Sequence, residues 1–280
     1  MTKDATIIGL AQWLQTAPGR YLLEWEQEQL DRGVSDVFGF HALQLGLPEL
    51  DALRANRMPH RWLAMDERGT SDAAAMTPAS GNGQAAPAAP QVVLHCEFDA
   101  LPFANQSLDL IVLPHTLELT RDPHQALREV ERVLMPEGRV VIVGFNPTSL
   151  WGLRQRLGHL RRGLALGRGR PLFLPSEGEF IGYWRLRDWL RLLSFEVERG
   201  RFGRYRPPLV SQRWLSRFGW MESSGDRWWP VFGAVYFLVA VKRVRGMRLV
   251  GLLRPERKKV PSAPAVVTNL HHKEHDEEVA

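Results

Sequence analysis

The sequence predicts an α/β fold built on a mostly parallel sheet, and three observations carry that expectation. Short apolar runs at 92–95 (Val-Val-Leu-His), 108–113 (Leu-Asp-Leu-Ile-Val-Leu) and 140–144 (Val-Val-Ile-Val-Gly) suit strands buried on both faces. Between the second and third lies one amphipathic helix. Asp122 offers an N-cap carboxylate and Pro123 suits the first helical position. Ala126, Leu127, Val130, Val133 and Leu134 recur at three- and four-residue spacing, opposite Arg128, Glu129, Glu131 and Arg132. Pro136 and Gly138 are expected to close this helix. Finally, the connections are short, so strand, strand, helix and strand imply a right-handed crossover.

Taken from its start, the chain is 280 residues long and 44% hydrophobic, ample for a core. Residues 5–14 lack the flanks of a leader peptide. Residues 5–15 and 20–31 read as helices, the second with Leu22, Leu23, Trp25 and Leu30 on one face and Glu24, Glu26, Glu28 and Asp31 on the other. A first strand is expected within 34–46, ending at Gly46. Pro48 is placed to open the next helix, with Glu49 and Asp51 in its first turn. Trp62-Leu63-Ala64-Met65 is a second strand. Asp66 then follows Gly46 by twenty residues, about where nucleotide-binding α/β folds set an acid against ribose hydroxyls. Residues 67–91 turn to Ala, Gly, Ser, Pro and Asn without apolar periodicity, as a flexible insertion does. The sole cysteine, Cys96, excludes an internal disulfide and a cysteine-based zinc site.

Three segments then occur in order: Glu-Phe-Asp-Ala-Leu-Pro-Phe at 97–103, Leu-Asp-Leu-Ile-Val at 108–112, and Arg-Glu-Val-Glu-Arg-Val-Leu-Met-Pro-Glu-Gly at 128–138. Together they resemble the second half of a class I S-adenosylmethionine-dependent methyltransferase domain, in the type 11-like subgroup that holds small-molecule and quinone methyltransferases. The resemblance implies a Rossmann-like, doubly wound, seven-stranded and mostly parallel sheet whose last strand is antiparallel. It implies S-adenosylmethionine as cofactor. Glu97 aligns with the acid that bonds the adenine amino group, and Phe98 with the neighbour that packs on the ring. The family's glycine loop, an acid two residues before the first of three alternating glycines, falls on Gln44, Gly46, Pro48 and Leu50. Only Gly46 is kept, and acids at the following helix N-terminus would repel the cofactor's carboxylate. Pro114 and His115 fall at the rim where open α/β sheets bind ligands. Two readings of His115 stay open, one as the residue facing the methyl donor or serving as base toward an acceptor hydroxyl, the other as a structural histidine.

Beyond Asn146 the charge changes sign. Residues 151–260 hold 24 Lys and Arg against 8 Asp and Glu, so a net charge of +5 conceals a basic half and an acidic remainder. That half carries seven of the ten tryptophans. Leu150, Leu153, Leu157 and Leu160 alternate with Arg154, Arg156, Arg161 and Arg162, which suits a basic amphipathic helix running to Gly167-Arg168-Gly169-Arg170. An anionic membrane surface, a phosphate-bearing ligand and plain solvent are its three candidate neighbours. A helix over 183–193 and a strand from Phe195 follow. Arg201, Arg204, Tyr205 and Arg206 form an arginine-aromatic cluster suited to an acidic or aromatic substrate, or to nucleic acid. The run 228–241 is too short to span a bilayer comfortably, and 235–241 fits the final strand.

The resulting expectation is N-terminal helices over 1–33 and a methyltransferase-like domain over 34–66 and 91–245. The insertion takes 67–90, a basic lid or helical region 150–193, and a basic, then disordered tail 246–280. Methyl transfer to a small molecule or to a membrane-associated lipid or quinone is the leading function. Cofactor contacts are assigned to Gly46, Asp66, Glu97, Phe98 and Pro114, catalysis to His115, and acceptor binding to Arg204, Tyr205 and Arg206. A catalytically silent binding module and a nucleic-acid methyltransferase are the alternatives. The expected location is the cytoplasm or the inner face of its membrane.

Overall fold

Strands β1 (His41–Leu45), β2 (His60–Asp66), β3 (Val92–Cys96), β4 (Leu108–Pro114), β5 (Leu134–Phe145), β6 (Phe195–Gly203) and β7 (Val235–Lys242) form one sheet in the order β3-β2-β1-β4-β5-β7-β6. The pairs from β3 across to β5 are parallel, and β7 runs antiparallel to both its neighbours. This is the doubly wound topology expected, with the last strand reversed. The computed structural model describes residues 5–66, 92–163, 172–175 and 178–244, all within the unit Met1–Val244. The expected insertion at 67–90, the Gly-Arg stretch at 167–170 and the tail at 246–280 lie outside the described residues.

Alternation along each central strand explains why those strands read as continuous apolar runs. Ala42, Leu110, Val112, Val141, Val143, Phe237 and Val239 face one core, while Leu43, Leu45, Ile111, Leu113, Val140, Ile142, Leu238 and Ala240 face the other. The first core is covered by α1 (Ala5–Leu14) and α2 (Ala17–Val34), which contribute Leu10, Leu14, Leu22 and Leu30. A short α3 (Thr116–Leu119) and then α4 (Pro123–Val133) follow β4. The second core is covered by α4 and by α6 (Tyr183–Leu192), through Leu127, Val130, Leu186 and Leu190. Between them in the chain lies α5 (Leu150–Gly163), and α7 (Gln212–Arg217) and α8 (Trp220–Trp228) precede β7.

Local chemistry sets the ends of these elements. Thr16 caps α2 by accepting from the Gly19 N–H, and Asp122 caps α4 by accepting from the N–H groups of His124 and Gln125 at 3.0 Å each. Pro136 and Gly138 do not close α4, contrary to the sequence reading. The helix stops at Val133, and Leu134 goes directly into β5 with φ −75° and ψ 134°. Lys242, reaching over from β7, donates to the carbonyls of Glu131 and Leu134, satisfying acceptors that the last turn leaves open.

The helix expected from Pro48 is also absent. Residues 52–55 form turns, and side-chain amides hold the segment in place of helical hydrogen bonds. Asn56 donates to the carbonyls of Val34 and Val37, and Leu50, Ala52 and Leu53 are buried. Among the described residues no helix is long and apolar enough to cross a membrane.

Candidate active site

In this strand order β1 and β4 are neighbours whose onward connections leave in opposite directions, and open α/β sheets bind ligands in the crevice beyond that point. A narrow cleft lies there and is lined by Gly46, Leu47, Met65, Asp66, Phe98, Pro114, Thr116, Leu119 and Thr120. Each comes from the carboxyl end of a strand, the turn after it, or α3 and its C-cap. The structure therefore brings Gly46, Asp66, Phe98 and Pro114 to one place. Glu97 precedes Phe98 in the turn after β3 and is half-buried, outside the lining set.

Gly46 has φ +75°, a conformation that favours glycine, and a side chain there would meet the Phe98 ring and the Thr116 hydroxyl at 3.7 Å. That spacing is ordinary contact, so the positive φ rather than crowding is what favours glycine here. Thr116 donates through its hydroxyl to the Leu45 carbonyl, tying the start of α3 to the end of β1.

Gln44 occupies the family's acid position and is 1% exposed. Its amide nitrogen donates to the carbonyls of Gly46, Leu47 and Leu50 at 3.1, 3.0 and 2.7 Å, while its oxygen accepts from the Ala52 N–H at 3.0 Å. A carboxylate cannot donate to three carbonyls. The glutamine is therefore matched to a loop that turns its acceptors inward.

His115 does not line the cleft, although both its chain neighbours do. Its backbone adopts φ +55°, and the ring is fully buried on the side facing α2. Nε2 lies 2.8 Å from Glu26 Oε1 and Nδ1 lies 2.8 Å from Glu118 Oε2. Glu118 also accepts from the Phe145 N–H at 2.5 Å. Burial alone would lower the imidazole pKa, but the two carboxylates raise it to about 10. Burial pushes the Glu118 carboxyl up, against the lowering effect of His115. A charged ring with both nitrogens engaged has no site left to take a proton from an acceptor.

Arg204, Tyr205 and Arg206 are together, but away from the cleft lining. The Arg204 and Arg206 guanidinium carbons lie 4.0 and 4.6 Å from the centroid of the Tyr21 ring on α2. Arg204 pairs with Glu24 at 3.7 Å and Arg206 with Glu222 at 3.5 Å. Burial lowers the Arg204 pKa to about 10 and raises Glu222 to about 7. The buried Tyr205 hydroxyl lies 3.0 Å from the Pro230 carbonyl, and burial lifts its pKa to about 12.

Sequence reasoning missed Thr116 and Glu118, for which the only signal was their place just after Pro114-His115. It set Glu26 on the exposed face of α2, and nothing local distinguishes Glu26 from Glu24 or Glu28. Among the described residues no group of three or more metal-binding side chains occurs.

Residues 56–142 match the family model described as a methyltransferase domain. That match covers less than half of the chain. Its matched part holds β2, β3, β4 and α4 and most of the cleft, while Gly46 and Leu47 stand before it. The uncharacterized protein YafS of Escherichia coli is 43% identical over 97 residues, 35% of this chain and 36% of that protein. The demethylmenaquinone methyltransferase of Chlamydia pneumoniae is 39% identical over 54 residues, 19% of this chain and 24% of that one. The chain thus spans about a third or less of the length of these relatives. In structure, the domain resembles a SAM-dependent methyltransferase of Thermotoga maritima, with a TM-score of 0.51 at 13% identity over 86% of this chain and 97% of that one. That likeness is one of fold.

Proposed function

We propose that this chain binds S-adenosylmethionine in the cleft between β1 and β4 and transfers its methyl group to an acceptor. The observation that carries the reading is the convergence of Gly46, Asp66, Phe98 and Pro114 on one cleft at the topological switch of a methyltransferase-type sheet. Asp66, ending β2, would hold the ribose hydroxyls. Glu97 would accept from the adenine amino group, and Phe98 would pack on the base. This nucleoside side fits the residues present. At the other end, the turns over 52–55 supply no helix N-terminus to meet the methionine carboxylate.

When bound, the cofactor supplies an electrophilic methyl group. What the chain must add is orientation and exclusion of water, which need no acid-base pair. In this reading His115 acts as a positioning residue, holding α2 to the edge of β4 through Glu26. Arg204 and Arg206 anchor the same helix through Tyr21. The acceptor is a small molecule or a membrane-associated lipid or quinone, a class suggested by the quinone methyltransferase among the relatives.

Thermal unfolding with S-adenosylmethionine and S-adenosylhomocysteine tests the proposal. Ligand at about a hundred times its dissociation constant should add roughly 2.7 kcal/mol, a shift of several degrees at this size. Asp66→Ala and Glu97→Ala should each weaken binding about tenfold, the loss of one charge-assisted hydrogen bond. No shift at millimolar ligand would overturn the cofactor assignment and favour a silent binding module, the reading to which the Gln44-held loop lends weight.

A further inference from the structure

The helix α5 (Leu150–Gly163) turns its apolar stripe away from the protein. Its inward face is Trp151, Gly152 and Gln155, all buried, with Gln155 exchanging hydrogen bonds with the main chain of Leu174. Its outward face carries Leu150, Leu153, Leu157 and Leu160, exposed by 46, 53, 43 and 59%. At about 100° per residue these leucines fall within an arc of roughly 80°, opposite the buried face. A surface helix ordinarily does the reverse, and such a stripe marks a contact surface.

The flanks say what kind of contact. Exposed Arg154 and Arg161 border the stripe on one side and exposed Arg156 on the other, and α5 contains no acid. The neighbouring surface continues this chemistry. Trp151 and Arg154 bind the carbonyls of Arg206 and Pro208. The same segment meets α8 through the Arg206–Glu222 pair, and there Trp220 and Trp228 are 62 and 71% exposed. Leucines edged by arginines match the layering of an anionic bilayer surface, where acyl chains lie below phosphates. Nucleic acid would pair with the arginines but leave the leucine row in water.

We infer that the α5 face docks on a membrane surface rich in anionic lipid, with Leu153, Leu157 and Leu160 entering the acyl boundary and Arg156 and Arg161 meeting headgroup phosphates. This goes beyond the methyl-transfer reading and stands whether or not that reading holds. The test is co-sedimentation of the full chain with vesicles of phosphatidylglycerol and phosphatidylcholine in equal parts, against phosphatidylcholine alone. Binding is expected only to the anionic vesicles. It should fall about tenfold or more in the combined variant Leu153→Gln, Leu157→Gln, Leu160→Gln, since insertion strength follows buried apolar area. Those side chains are exposed, so the variant should melt where the parent does, and circular dichroism checks this.

Several outcomes overturn the inference. One is no binding to anionic vesicles, and another is equal binding by the glutamine variant, which would place the contact elsewhere on the basic half. A third is a concentration-dependent dimer that the variant abolishes, showing the occupant to be a second copy. The last is RNA binding that is lost in the variant while vesicle binding is not.

Discussion

Three side chains, Glu26, His115 and Glu118, tie α2 to the ends of β4 and β5 through contacts wholly out of water. The cost of desolvating such groups is offset only while all remain paired. His115→Gln leaves two carboxylates facing an amide that cannot carry charge. It is expected to cost about 3–5 kcal/mol, measurable by urea unfolding. The pH dependence follows from the same geometry. The folded imidazole pKa is raised from 6.5 to about 10, so its contribution is full below pH 6.5 and is lost as pH rises through about 10. The parent chain should lose stability across that window. A His115→Gln variant should lack this part of the slope, and equal slopes would show that the cluster is not charged as described.

The segment between β1 and β2 departs furthest from the methyltransferase pattern. Gln44 holds three of its carbonyls, so Gln44→Glu, the change that restores the family's acid, should destabilise the fold by about 3 kcal/mol through unmet acceptors and a buried charge. The same loop sets which part of the cofactor matters. With no helix N-terminus for the methionine carboxylate, most of the binding should come from the nucleoside. Methylthioadenosine, which lacks the amino acid portion, is expected to bind within about tenfold of S-adenosylhomocysteine in calorimetry, a difference of about 1.4 kcal/mol. A gap of a thousandfold would reveal a carboxylate-binding group that this loop does not supply.

At the scale of the molecule, the sheet was legible because β4 and β5 are buried on both faces and alternate between two cores. The cleft was legible in part, since Gly46, Asp66, Phe98 and Pro114 sit at strand ends whose positions the motifs fix. The charged cluster was not, because Glu26 and His115 are 89 residues apart and only tertiary packing makes partners of them. Nor was the end of α4, where Lys242 from the far strand does what a local Pro or Gly was expected to do. The unit ending at Val244 contains every strand among the described residues.

The final strand occupies an interior place, between β5 and β6, so the sheet cannot be completed in the order in which the ribosome delivers it. About 90 residues separate the end of β5 from the start of β7, on the order of 5–20 s of synthesis at ~5–20 residues per second. Throughout that interval the outer edge of β5, an apolar row from Val140 to Phe145, has no hydrogen-bonding partner and is open to pairing with a neighbouring chain. Nascent copies of this protein are thus expected to depend on whatever shields a bare strand during translation.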